Sequence, residues 1–479
     1  MTVLYDADER LLGPAWSTYP QFLMFLSLVI EPMGEMEGRL AERWEHSPDY
    51  RTWTFYLRRD VRWHDGVPVT AHDVKFSLEL FAHPAVLTFA NNLWLDMESF
   101  TVLDEFTFTI TYTRPRGALD EDAVVYPKHL LEDLDPKEFY RWDFWTHPIG
   151  NGPFRYVRHL PKTMMELEAN PDFYLGKPNI ERVVIKFGGV APLTELLSGN
   201  VDVVQDFNPA DIPKLAADGR FHVYHGLNAY WLAAIYWNHR HPLFRDPMVR
   251  RALTLAINRR ELAQVQNFPE NTPIFDGIFT WRQLARGELP EPIPYDPERA
   301  KQLLEEAGWS DQDGDGIRER AGEEARFTAM AVEEEMVKPA IYVQAQLRRV
   351  GIQMEVRPLA SGALRARLLA GEFEAAFHRL GNDPRHILDD KWFSPGSPIG
   401  YTNPQMVKLL QATVITFDSE ARDQIYRELM TIFREELPMT FLSKVRTYVA
   451  HRRLRGLKNF QRANPLADMA ELWLEEQGR

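Results

Sequence analysis

The hydrophobic pattern changes its period along the chain. Residues 51–57 (RTWTFYL) alternate apolar and polar positions and are rich in aromatic and Thr side chains, which predicts a strand. Residues 61–69 (VRWHDGVPV) follow, with Asp65-Gly66 as a hairpin turn signal. Thr70 and Asp73 have the spacing of a capping box, and the helix they open places Val74, Leu78 and Phe81 on one face. A second alternating stretch runs from Phe100 to Thr113. Later the pattern turns to α/β. Ile180 to Phe187 and Val201 to Val204 read as strands, separated by a helix over Pro192 to Leu197 that ends near Gly199. Asp296-Pro297 opens a helix, with Asp as N-cap and Pro in the first turn; Ala300, Leu303, Leu304 and Ala307 form its apolar stripe and Gly308 closes it. Segments 327–332, 342–350, 352–359, 363–369 and 373–377 then alternate strand and helix, which implies a parallel-type sheet with helices on its faces.

At 479 residues the chain is too long for one ordinary core, so two or three lobes are expected. The net charge of −14 argues against a nucleic-acid binder, which needs a basic face to meet phosphates, and disfavours an anionic membrane surface as the main partner. There are no cysteines, which removes thiolate metal sites, Cys nucleophiles and disulfides. The N-terminal residues lack the basic and apolar regions of an export signal, and the apolar run Phe22 to Ile30 is about half of the ~20 residues that span a bilayer. A mature or truncated form of an exported protein is the expectation, and the starting Met fits equally a protein that is never exported.

No nucleophile elbow, Walker loop, three-glycine dinucleotide fingerprint or His-Glu-x-x-His helix is present, so no enzyme is expected. The closest His pairs, His222 with His225 and His239 with His241, read as strand ends or loops rather than metal ligands. The run Asp311-Gln312-Asp313-Gly314-Asp315-Gly316 matches the first half of a calcium loop, with Glu319 at the ninth position. The twelfth position is Gly322, where a bidentate Glu would be needed, so a structural turn is expected first and no metal or cofactor is assigned. The 13 Trp are expected mostly in cores, with a few lining a ligand groove.

Several ordered motifs resemble the signature of family 5 extracellular solute-binding proteins. They are Leu40-Ala41-Glu42-Arg43-Trp44-Glu45, Trp53-Thr54-Phe55-Tyr56-Leu57-Arg58, Trp63-His64-Asp65-Gly66 and the stretch from Thr70 to Leu78. Gly150-Asn151-Gly152-Pro153-Phe154, Asn170-Pro171-Asp172-Phe173-Tyr174 and Leu197 to Asp202 continue it, as do Asp246 to Leu253 with Ala256-Ile257-Asn258-Arg259, and Tyr295 to Trp309. Together they cover nearly the whole chain. The resemblance implies an α/β fold of the periplasmic-binding-protein type II-like kind, with two cleft-forming lobes plus an inserted β-rich domain. The main lobe would be discontinuous (1–38, 149–237 and 441–479), the insert would span 39–148, and the second lobe 238–440. It also implies a monomeric, extracytoplasmic subunit of an ABC importer that closes on a small-molecule ligand and delivers it to membrane permease subunits. A peptide is the first expectation; an oligosaccharide of the β-glucan type, or a sensing role, is the alternative. Trp63-His64-Asp65-Gly66 is expected to be a hairpin, and Asn258-Arg259 to cap and terminate a helix.

Peptide-binding members end a strand near the cleft in Gly-Trp, followed by an Asp that accepts the ligand's α-ammonium. In residues 373–384 of this chain that Trp is missing; Arg379 stands near its place, and Asn382 or Asp383 near that of the acid. Arg379 reads either as a surface residue or as a fork for a ligand carboxylate, and if buried its guanidinium needs an anionic partner from Asp383, Asp389, Asp390 or the ligand. The remaining candidate ligand contacts are Trp16 and Ser17 in the first loop, Tyr230 and Trp231 ahead of a strand leading to a hinge, and Trp392, with packing in a core an equal reading for each.

Overall fold

The computed structural model describes residues 2–5, 19–30, 37–86, 97–115, 124–161, 163–187, 192–205, 211–227, 231–332, 335–382, 384–416, 418–443, 445–451, 454–455 and 473–474. Two compact units result: Met1–Gly226 with Arg446–Arg479, and Leu227–Val445.

In the first unit β1 (Thr2–Tyr5) begins a seven-stranded sheet. The chain then forms a four-stranded antiparallel sheet from β2 (Ala41–His46), β3 (Thr52–Leu57), β4 (Met97–Asp104) and β5 (Thr107–Tyr112), in the order β2-β3-β5-β4. Alternation decides its buried face: Trp53, Phe55 and Leu57 on β3 and Phe108, Ile110 and Tyr112 on β5 are all buried. Between β3 and β4 lies α1 (Ala71–Ala82). At its start the Asp73 carboxylate accepts the Thr70 N–H at 2.8 Å and the Thr70 hydroxyl at 3.0 Å, and its other oxygen accepts the Lys128 N–H at 2.9 Å. The large sheet resumes with β6 (Phe154–Leu160), β7 (Met164–Ala169), β8 (Arg182–Phe187), β9 (Val203–Gln205) and β10 (Phe221–Leu227). In it β1 runs parallel to β8 on one side and β9 on the other.

Three of the sequence motifs meet at one place in this unit. The Gly150 N–H donates to His64 Nδ1 at 3.1 Å, so Nε2 carries the proton and reaches the Gly152 carbonyl at 3.1 Å. Burial of this ring pulls its pKa down to about 4. Asn151 Oδ1 accepts the Leu26 N–H at 2.8 Å, while Asn170 Nδ2 donates to the Gly152 carbonyl and Arg155 donates to Asn170 Oδ1. Gly150 is required by close approach: a Cβ there would lie 1.9 Å from the Met24 carbonyl oxygen. Trp63-His64-Asp65-Gly66 is thus a hairpin, as expected, and its His is a neutral clasp between motifs 86 residues apart.

The second unit is a three-layer α/β/α sandwich. Its strands are β11 (Trp231–Trp237), β12 (Arg326–Val332), β13 (Gln353–Leu359), β14 (Ala375–Gly381) and β15 (Met439–Leu442), in the order β13-β12-β14-β11-β15. β12 is parallel to β13 and β14, whereas β11 is antiparallel to β14 and β15. Strand period divides the core. Ala233, Ile235, Trp237, Ala375 and Phe377 face one cluster, filled by α2 (Pro247–Leu255), α3 (Pro297–Glu306) and α4 (Val337–Arg348). Leu232, Ala234, Tyr236, Ala376 and Leu380 face the other, filled by α5 (Ser361–Ala370), α6 (Pro404–Ile415) and α7 (Ser419–Glu436). The near-continuous apolar runs of β11 and β14 follow from burial on both faces. From β15 the chain returns to the first unit through β16 (Val445–His451), which is antiparallel to β9.

Two expectations are corrected here. The unit boundaries fall near residues 227 and 445 rather than at 237/238 and 440/441. The reason is hydrogen bonding: β11 pairs with β14 over its full length, from Trp231 opposite Gly381 to Trp237 opposite Ala375. Asn258 opens a helix instead of terminating one, its side chain accepting the Glu261 N–H at 3.0 Å ahead of Arg259–Val265. Arg259 is buried, and its guanidinium meets Asp276 at 2.6 Å.

Candidate ligand-binding site

Open α/β sheets hold ligands outside the carboxyl ends of their parallel strands, at the point where strand direction or order switches. In the second unit that point is β14, with parallel β12 on one side and antiparallel β11 on the other. Arg379 lies near the end of β14 and is its one residue that is not buried. Its backbone is held by β11: it pairs with Ala233, and the Tyr236 hydroxyl donates to its carbonyl at 2.9 Å.

The guanidinium has an anionic partner that sequence pattern alone does not reveal, Glu335. Arg379 Nε donates to Glu335 Oε2 at 2.9 Å, and Nη2 contacts Glu335 Oε1, which makes a two-point fork. Glu335 lies in the turn leaving β12, just before α4, where an anion is favoured by the helix N-terminus. The signal was present in the sequence as the acidic run Glu333-Glu334-Glu335 directly after a strand pattern. Of the carboxylates proposed for Arg379, Asp390 pairs with Arg365 at 3.1 Å.

The other expected residues fare differently. Asn382 grips the backbone of one residue from both sides: its Oδ1 accepts the Phe279 N–H at 3.2 Å and its Nδ2 donates to the Phe279 carbonyl at 2.9 Å. Both ends of the amide are occupied in pinning the 275–280 loop to the strand end. Trp392 is 3% exposed and rests on Tyr236 with ring centroids 4.9 Å apart, so it packs the core of this unit instead of facing a groove. The backbone of Trp231 lies opposite Gly381 at the same edge of the sheet. Trp16, Ser17, Tyr230 and Asp383 lie outside the described residues.

Two features stand apart from this edge. The carboxylates of Asp311, Asp313, Asp315 and Glu319 lie within 4.8 Å of one another. Each also accepts a backbone N–H of its own turn, from Gly314 and Gly316 to Asp311, Asp315 to Asp313, Ile317 to Asp315 and Gln312 to Glu319. A cavity of about 360 Å³ lies between α7 and residues 283–290, with Leu289, Pro290, Tyr426 and Met430 as its apolar lining and Arg427 and Arg434 among its charged residues. No helix among the described residues is long and apolar enough to cross a membrane.

A chain that passes twice between two α/β units, with a charged fork at the carboxyl edge of one sheet, has the construction of a periplasmic-type binding protein. Residues 35–393 match the family described as bacterial extracellular solute-binding proteins, family 5 middle, and the chain belongs to that family, whose members are substrate-binding subunits of ABC transporters. It is 27% identical over 499 aligned residues to the oligopeptide-binding protein AppA of Bacillus subtilis, covering 98% of this chain and 87% of that protein. The AppA structure in complex with a nonapeptide has a TM-score of 0.73 and 22% identity, over 99% of both chains. The structure of NikZ from Campylobacter jejuni in complex with Ni(L-His) has a TM-score of 0.77 and 23% identity, again over 99% of both. These likenesses establish the fold; the ligands belong to those proteins.

Proposed function

We propose that this chain captures a peptide-class ligand outside the cytoplasm and delivers it, chemically unchanged, to the permease of an ABC importer. The observation that carries this reading is the family match over residues 35–393, supported by the likeness to an oligopeptide-binding protein over 98% of the chain. In this reading the protein acts as a monomer and needs no cofactor. Arg379 receives a charged group of the ligand, and Trp231, Tyr230, Asp383, Trp16 and Ser17 supply further contacts.

The test is denaturing mass spectrometry of the protein as purified, together with thermal-shift screening of a tripeptide pool, neutral oligosaccharides and nickel chelates. A released peptide mass, with the melting temperature raised by the peptide pool, is the expected result. A released oligosaccharide or metal chelate would replace the peptide in this reading and leave the family intact.

A further inference from the structure

Arg379 and Glu335 form a fork of the kind that a guanidinium makes with any carboxylate, and here the carboxylate is supplied by the chain itself. The two partners are unequally held. Arg379 projects from a central strand whose backbone is paired on β11 and bonded by Tyr236. Glu335 stands on a turn between β12 and α4, joined to the strand end by its N–H to the Val332 carbonyl at 3.3 Å. Both side chains are about one-third exposed, at 33% and 32%. An ion pair open to water in this way contributes little net stability, so exchanging one carboxylate for another costs little. The pair also sits where the sheet switches from parallel to antiparallel, the position at which such sheets take ligands.

We infer that Glu335 is a built-in stand-in for a ligand carboxylate: a carboxylate-bearing ligand displaces it from Arg379, and Glu335 thereby sets both the affinity and the charge preference of the site. The inference rests on the capture reading above and adds to it the chemical group that is read and the residue that competes for it. Ligand affinity is reduced in the native protein by the competing Glu335, because only the fraction of molecules with the fork open can accept the ligand. Removing the competitor therefore tightens binding of acids, whereas removing the fork abolishes the preference for them. The α4 N-terminus beside Glu335 favours an anion there whichever carboxylate supplies it.

The test compares a tripeptide pool with free carboxyl termini with the same pool as carboxy-terminal amides, by thermal-shift titration of the native protein, Glu335→Gln, Arg379→Ala and Arg379→Lys. All four are first checked for an unchanged melting temperature without ligand, and Arg379→Lys serves if Arg379→Ala does not fold. The native protein is expected to prefer acids over amides by about tenfold, the loss of one charged contact. Glu335→Gln is expected to bind acids a further ~3–10-fold more tightly, with amides unchanged. Arg379→Ala is expected to treat both pools alike, and Arg379→Lys to lie between, since an ammonium lacks the planar fork. Equal binding of both pools by the native protein, or no gain in Glu335→Gln, overturns the inference while leaving peptide capture in place. If neither pool binds, peptide capture is what fails, and the exchange is then decided with acetate alone. The Arg379 Nε–H resonance, assigned by its loss in Arg379→Lys, should move at clearly lower acetate concentration in Glu335→Gln than in the native protein; equal midpoints overturn it.

Discussion

His64 shows how one side chain acquires a role from its neighbours. Its ring accepts an N–H from Gly150 and donates to Gly152, and its burial, outweighing the opposing pull of the Gly152 bond, holds it neutral with a pKa near 4 against an ordinary value of 6.5. The unfolded chain takes up a proton near 6.5 and the folded chain only near 4. The contribution is therefore fully present above pH 6.5 and is lost as the pH falls towards 4, where about 3 kcal/mol is gone. His239 behaves alike: burial first and the nearby Arg250 second hold it near 4. Urea midpoints of the native protein and His64→Gln at pH 7.5, 5.5 and 4.5 check this. The variant should start lower at pH 7.5 and lose less stability on acidification; parallel pH profiles would remove His64 as the cause. At this scale the hairpin at Asp65-Gly66 was legible in the sequence and Arg379 only in part, since its need for an anion was legible while Glu335 as its source was not. The two are 44 positions apart, and only the adjacency of β12 and β14 joins them.

Elements were more legible than residues. The helix opened by Asp296-Pro297 is present as α3, with Asp296 accepting the Arg299 N–H at 2.9 Å and Ala300, Leu303 and Leu304 buried. Short-range chemistry suffices there, because caps and stripes involve residues one to four apart. Asn382 lies beyond that reach. Its amide satisfies both polar groups of Phe279, about a hundred positions away, and ties the 275–280 loop to the end of β14. Asn382→Ala should cost about 1–3 kcal/mol, since the part-buried N–H and carbonyl of Phe279 lose their partner at once. Hydrogen exchange at the Phe279 amide should quicken at least as much as global stability falls. An unchanged exchange rate would show that the loop is held by its apolar contacts, Phe275 and Ile278 foremost.

For the whole molecule, binding and stability are linked. A ligand that the folded chain binds and the unfolded chain does not adds about 2.7 kcal/mol at 100 times its Kd. With a chain of this length the melting temperature should rise by a few degrees in proportion to the logarithm of ligand concentration. A hit from the screen whose effect saturates at once, or does not depend on concentration, would be acting otherwise than by binding the native state.

By itself the sequence determined the class of fold, the family, the hairpin at Asp65-Gly66 and the helix starts at Thr70 and Asp296, because each depends on local pattern or on motifs kept in order along the chain. Tertiary structure alone decided where the chain crosses between units, since β11 belongs to whichever sheet supplies its hydrogen bonds. It also decided that Trp392 packs against Tyr236 and that Asn382 serves Phe279. Only the tertiary structure, again, showed that Arg379 is answered by Glu335. Each of these rests on contacts between distant segments, and hydrophobicity or residue type at one position carries no record of which distant segment will arrive beside it.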